Sequence, residues 1–97
     1  MASGIDLYIS VPWGAGYNVM KGVDKNITVR ELFDQVMDLE KDCVPADLPK
    51  ENLCFVGKKG IPLVGQYWNA PLKSVEIKHN DFPDIIYLPT SEAGGNN

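Results

Sequence analysis

Cysteine and histidine, the side chains best suited to nucleophilic catalysis and zinc ligation, are scarce in this sequence. Cys43 and Cys54 are the only cysteines, and His79 is the only histidine. Nucleophilic catalysis needs a base within hydrogen-bond reach of the nucleophile and a third group that orients the base. A Cys–His arrangement would have to pair His79 with Cys43 or Cys54. Cys54, however, falls inside the apolar run Leu53-Cys54-Phe55-Val56, and His79 lies near the turn before the last strand. No Ser-His-Asp or paired-carboxylate motif surrounds them, so the chain is expected not to be an enzyme. The spacing of these three residues matches no zinc pattern, and neither a metal nor a cofactor is expected. Gly14-Ala15-Gly16 is no phosphate loop, because no Gly-Lys-Ser/Thr follows and no helix opens after it.

Composition narrows the partners. The 97 residues carry a net charge of −4, and of the nine Lys and Arg only Lys58 and Lys59 are adjacent. A nucleic-acid footprint needs basic residues clustered on one face, so nucleic acid is not an expected ligand. No apolar run approaches the roughly 18 residues of a membrane span. Met1 to Asp6 has no basic stretch followed by an apolar one, so two reduced thiols in cytoplasm or nucleus are expected. The length suits one domain, expected over residues 1–88, with a flexible polar tail over 89–97.

The elements that must position any site read clearly in places. Ile5, Leu7, Ile9 and Val11 alternate with Asp6, Tyr8 and Ser10, which predicts a strand with one face on a core. Pro12 to Gly16 is a turn cluster, and Tyr17 to Val23 predicts a second strand completing a hairpin. Its alternation would put Val19, Val23 and also Lys21 inward, so a bulge near Met20 or Gly22 is expected to re-aim it. Thr28 and Glu31 have capping-box spacing, and Ile27 and Leu32 that of a hydrophobic staple. Val29, Leu32, Phe33, Val36 and Met37 then recur at helical spacing, and the helix is expected to end between Leu39 and Asp42, ahead of Pro45. Leu53 to Val56 and Asp84 to Leu88 predict two further strands, with a turn at Asn80-Asp81. The link around Gly65 to Pro71, with Tyr67 and Trp68, is long and irregular. Ile5, Leu7, Ile9, Val29, Leu32, Val36, Leu53 and Phe55 are expected in the core.

Leu53-Cys54-Phe55-Val56-Gly57-Lys58-Lys59 resembles the Leu-Ile-Phe-Ala-Gly-Lys-Gln segment of ubiquitin. Leu72 to Ile77 resembles ubiquitin's Leu-Ser-Asp-Tyr-Asn-Ile, whose leucine and isoleucine plug the core, which implies that Leu72 and Ile77 are core residues too. The element order also fits. By this resemblance, covering roughly residues 5–88, the chain looks like a member of the ubiquitin-like β-grasp family. The implied fold is α+β, a ββαββ mixed sheet packed on one helix, with the first and last strands parallel in its centre.

The resemblance also implies where function would lie. The sheet face away from the helix carries ubiquitin's hydrophobic patch, and its positions fall here on Trp13, Cys54, Ile86 and Leu88. The alternative has Trp13 folded back over the hairpin and Ile86 covered by the tail. Ubiquitin has a histidine where Ile86 falls, so partner choice need not carry over. Lys58 stands where ubiquitin has a linkage lysine, although a lysine after a glycine turn is more often simply solvated. Gly94-Gly95 resembles the conjugated terminus of modifiers, followed here by Asn96-Asn97. Ser91 and Glu92 replace the arginines before ubiquitin's glycines, which favours reading Gly94-Gly95 as a linker. The expected function is a monomeric, non-enzymatic module that binds other proteins through its sheet face. The alternatives are a modifier processed after Gly95 and joined to target lysines, and a domain offering its second-strand edge to a partner sheet.

Overall fold

The computed structural model describes residues 4–88. The expected tail, with Gly94 and Gly95, lies outside the described residues. The elements are β1 (Gly4–Ile9), β2 (Asn18–Asp24), α1 (Val29–Leu39), β3 (Leu53–Val56) and β4 (Asp84–Tyr87), with single 3-10 turns at Lys50–Asn52, Gly65–Tyr67 and Leu72–Val75. The fold is α+β, and all ten expected core residues are buried.

β1 alternates strictly, with Ile5, Leu7 and Ile9 buried and the residues between them half-exposed. It pairs antiparallel with β2, and the register slips between Ile5 and Leu7: Ile5 faces Val23, but Leu7 faces Met20. Lys21 and Gly22 together oppose Asp6 there, which is the expected bulge. Gly22 takes φ +66°, a conformation costly for residues with a Cβ, and its N–H donates to Asp6 Oδ1 at 3.1 Å. The bulge flips the parity of the strand. Met20 and Val23 are buried while Val19 is 49% exposed, which corrects the expectation that Val19 faces inward. Gly4 is equally constrained, since a Cβ there would sit 2.5 Å from the Gly22 carbonyl carbon.

β3 and β4 form the second antiparallel pair, with Cys54 opposite Ile86 and Phe55 opposite Ile85. Parallel bridges Leu7–Asp81 and Ser10–Asp84 join the two pairs. Tyr8 N–H donates to the Asp81 carbonyl at 3.0 Å and Ile85 N–H to that of Ser10 at 2.9 Å. β1 therefore lies beside the segment entering β4, as the β-grasp arrangement requires. The expected turn is present: Asn80 has φ +68°, and Asp81 N–H donates to the Lys78 carbonyl at 3.1 Å.

Α1 lays Val29, Leu32, Phe33, Val36 and Met37 on the core. The capping box forms as its sequence demands, with Glu31 N–H donating to Thr28 Oγ1 at 3.1 Å and Thr28 N–H to Glu31 Oε1 at 2.9 Å. The other two first-turn amides are satisfied from the long link. Val29 N–H donates to the Ala70 carbonyl and Arg30 N–H to that of Trp68, each at 2.9 Å. The same link buries Trp68 with its ring edge-on to Phe33, centroids 5.1 Å apart.

Thr28→Ala removes a side-chain acceptor while the link carbonyls stay in place. It should cost about 0.5–2 kcal/mol in a denaturant melt, and an unchanged melt would mean that the cap is dispensable.

Candidate functional site

The residues carried over by resemblance do not form one exposed patch. Trp13 is half-buried against the core. A partly buried indole N–H seeks an acceptor, and it finds Glu40 Oε1 at 3.0 Å, at the C-terminal end of α1. This corrects its placement on the outer sheet face, since the indole turns toward the end of α1 instead. Cys54 is fully buried, which corrects its expected exposure. It is a short side chain, paired across the strands with the bulkier Ile86, and it adds no surface. Ile86 and Leu88 are each half-buried. Leu88 is tied to Asn52, its N–H donating to the Asn52 carbonyl at 2.6 Å while Asn52 Nδ2 donates to the Leu88 carbonyl at 3.0 Å.

The outer face carries a different apolar cluster. Strand alternation sends Leu7 and Ile9 to the core and therefore Tyr8 outward, opposite Val19 on β2. Phe82 stacks on Tyr8 with ring centroids 5.1 Å apart, and Tyr17 meets Phe82 edge-on at 5.3 Å. Phe82 and Tyr17 nonetheless remain 59% and 57% exposed. Three aromatic rings and a valine thus share one solvent-facing surface. Sequence reasoning missed them because Tyr8 occupies a polar position of its alternation, while Tyr17 and Phe82 adjoin turns. A usable signal was present for Tyr8 alone, an aromatic residue at an outward position of an amphipathic strand.

Carboxylates border these rings. Asp6 lies two residues before Tyr8 on β1, and Asp84 two residues after Phe82. Each uses one oxygen within the fold, Asp6 accepting from Gly22 N–H and Asp84 from the Ser10 hydroxyl. Beside Phe82 a depression of about 240 Å³ runs between Val56, Lys58, Pro83 and Asp84. Lys58 pairs with Asp81 at 3.3 Å, so it serves partly as a structural cation there.

The groups considered for catalysis are not brought together. His79 Nδ1 accepts the Asp6 N–H at 2.9 Å, which gives the imidazole a structural task. Burial of Cys54 raises its thiol pKa by desolvation, the reverse of what a nucleophilic thiolate needs. Cys43 is exposed. Among the described residues no group of three His, Cys, Asp or Glu could hold a metal ion, and no helix is long and apolar enough to cross a membrane.

Neither a protein-family model nor a curated protein sequence matches the chain. Solved structures do. The ubiquitin of Caldiarchaeum subterraneum superposes with a TM-score of 0.67 at 20% identity, over 91% of this chain and 98% of that one. The C-terminal ubiquitin-like domain of human 2'-5'-oligoadenylate synthetase-like protein gives 0.67 at 23% identity, over 94% and 91%. A ubiquitin-like domain from an Arabidopsis thaliana protein gives 0.66 at 18%, over 93% and 83%. The chain has the ubiquitin-like fold.

In the folded chain Cys54 should resist a disulfide reagent at neutral pH while Cys43 reacts at once, and denaturant should release Cys54. The folded Cys54 stays protonated to a higher pH than the unfolded thiol, whose pKa is about 8.5. The stability linked to it is complete below that value and is lost as pH rises through the folded pKa. Cys54→Ala should remove this alkaline slope, as read from melts above and below pH about 9. Immediate reaction of both thiols in the native protein would contradict the burial described.

Proposed function

We propose that this chain is a ubiquitin-like interaction module that works by binding another protein across its outer sheet face and performs no chemistry itself. The observation that carries the reading is the exposed cluster of Tyr8, Tyr17 and Phe82 with Val19. Large aromatics on a soluble surface are frequent anchors of protein contacts, because they bury much area at little entropic cost. The rings already brace one another, so their immobilisation adds little to the cost of binding. Ile86 extends the surface along β4, and Leu88 stands at its margin.

A second reading, conjugation to target lysines through Gly95 after removal of Asn96-Asn97, is supported by Gly94-Gly95 and by the ubiquitin-like fold. It is the less favoured of the two, because Ser91-Glu92 stands where ubiquitin's tail carries arginines.

Two measurements test these readings. Phe82→Asp places a charge in what would become a desolvated contact, so partner capture should fall by at least about tenfold. Its melting temperature should stay near that of the unsubstituted chain, since the ring is largely exposed. Chemical-shift mapping of a captured partner onto α1 would refute the sheet-face reading. Incubation in lysate of the source organism, followed by intact-mass measurement, separates the second reading. The module should keep its full mass, whereas a modifier should lose Asn96-Asn97 and form a thioester with an activating enzyme that Gly95→Ala abolishes.

A further inference from the structure

We infer that the segment bound by the outer sheet face is cationic, with arginines stacked on the aromatic cluster and a separate guanidinium held by each of the bordering carboxylates, Asp6 at one end of the rings and Asp84 at the other. The inference rests on the sheet-face reading above and adds the chemistry of the partner. Two independent features of the face converge on it. Phe82 and Tyr17 offer exposed ring surface in a braced arrangement, and guanidinium groups stack on such surfaces. Asp6 and Asp84 stand two strand positions from Tyr8 and Phe82, on the same side of the sheet. That spacing is about 7 Å, within reach of an arginine side chain whose plane lies on the neighbouring ring.

The carboxylates are oriented rather than free. Hydrogen bonds from Gly22 N–H and the Ser10 hydroxyl each engage only Oδ1. Asp24 adds a further negative charge at the Gly4 end of the same pair of strands, its Oδ1 engaged by Asn26 N–H at 2.8 Å. Lys21 is the cation on β2, and Lys58 is already paired with Asp81. An acidic segment would meet repulsion here, and a purely apolar one would leave Asp6 and Asp84 desolvated without a partner. Arginine suits the site better than lysine, since one planar group can both stack and donate through its fork.

Three short peptides of alternating leucine and a second residue, arginine, glutamine or glutamate, test this by two-dimensional amide NMR titration, with a lysine version as a fourth probe. The arginine peptide should shift the resonances of Tyr8, Tyr17, Phe82 and Asp84, and its binding should weaken as NaCl rises from about 50 to about 300 mM. Lysine should bind several-fold more weakly, and glutamate should not bind. Asp84→Asn and Asp6→Asn should each reduce arginine-peptide affinity about three- to tenfold while leaving the melting temperature within a few degrees, whereas Lys59→Gln should leave affinity unchanged. Equal binding of the glutamine peptide at the same resonances would overturn the cationic inference and leave the sheet-face reading standing. Shifts confined to α1 would overturn both. No binding by any peptide would overturn the inference. Concentration-dependent shifts of the same resonances in the free protein would do so too, because a second copy would then be the occupant.

Discussion

β1 is hydrogen-bonded along both of its edges, and that double pairing governs what the molecule shows to solvent. On one side it meets β2 through the bulge at Gly22, and on the other it lies parallel to the segment entering β4. A strand so enclosed has no freedom to slip, because a one-residue shift would expose Leu7 and Ile9 and bury Tyr8 and Asp6. Asp6 tightens the arrangement. Its side chain accepts from Gly22 N–H, its N–H donates to His79, and its carbonyl accepts from Asn80 N–H at 2.7 Å. One residue thus links the second strand, the first strand and the turn that delivers Phe82 to Tyr8. The aromatic cluster follows from backbone pairing rather than from apolar collapse.

The helix is anchored by a comparable economy. An α-helix leaves its first amides without intrahelical partners, and here the Ala70 carbonyl, the Trp68 carbonyl and Thr28 Oγ1 accept from Val29, Arg30 and Glu31 in turn. The link between β3 and β4 therefore has a structural task despite its irregular sequence. It threads the start of α1, places Trp68 against Phe33, and continues into Leu72, whose N–H donates to the Ile27 carbonyl at 2.9 Å. With α1 and Trp13 closing the other side, the sheet's outer face is left to carry the exposed rings of Tyr17 and Phe82.

Local chemistry made the helix, its cap, the first strand and the turn at Asn80 legible in the sequence, because each depends on contacts between near neighbours. Resemblance to ubiquitin supplied the topology and placed Leu72 and Ile77 in the core, while strand alternation and helical spacing supplied most of its other expected members, and all of these are buried. The candidate site was less legible. Trp13 and Cys54 were assigned by alignment of positions, and position does not determine where a long side chain turns or whether a short one reaches solvent. Glu40, distant in sequence from Trp13, decides the first, and the neighbourhood of Ile86 bears on the second. Gly22 makes the bulge and a change of facing legible, but not which residues change face, so alternation alone places Val19 on the wrong side. Contacts between Tyr8, Tyr17 and Phe82 span most of the chain and leave no local pattern.

The size of the cluster explains why charge, more than apolar area, would determine which partner binds. Three partly exposed rings and a valine supply only a few hundred Å² of apolar surface, whereas a stable contact covers about 800 Å² on each partner. Most of such an interface must then come from what surrounds the rings. That surround includes Asp6 at one end of the rings and Asp84, the Ser10 hydroxyl and half-buried Ile86 at the other. Apolar area of this extent gives attachment with little discrimination, since many segments can present a leucine or an aromatic ring. Carboxylates held by the backbone of β2 and by the Ser10 hydroxyl discriminate more sharply, because a mismatched partner leaves them desolvated and unpaired. The same hydrogen bonds that set the register of β1 therefore also fix the polar frame around the aromatic cluster.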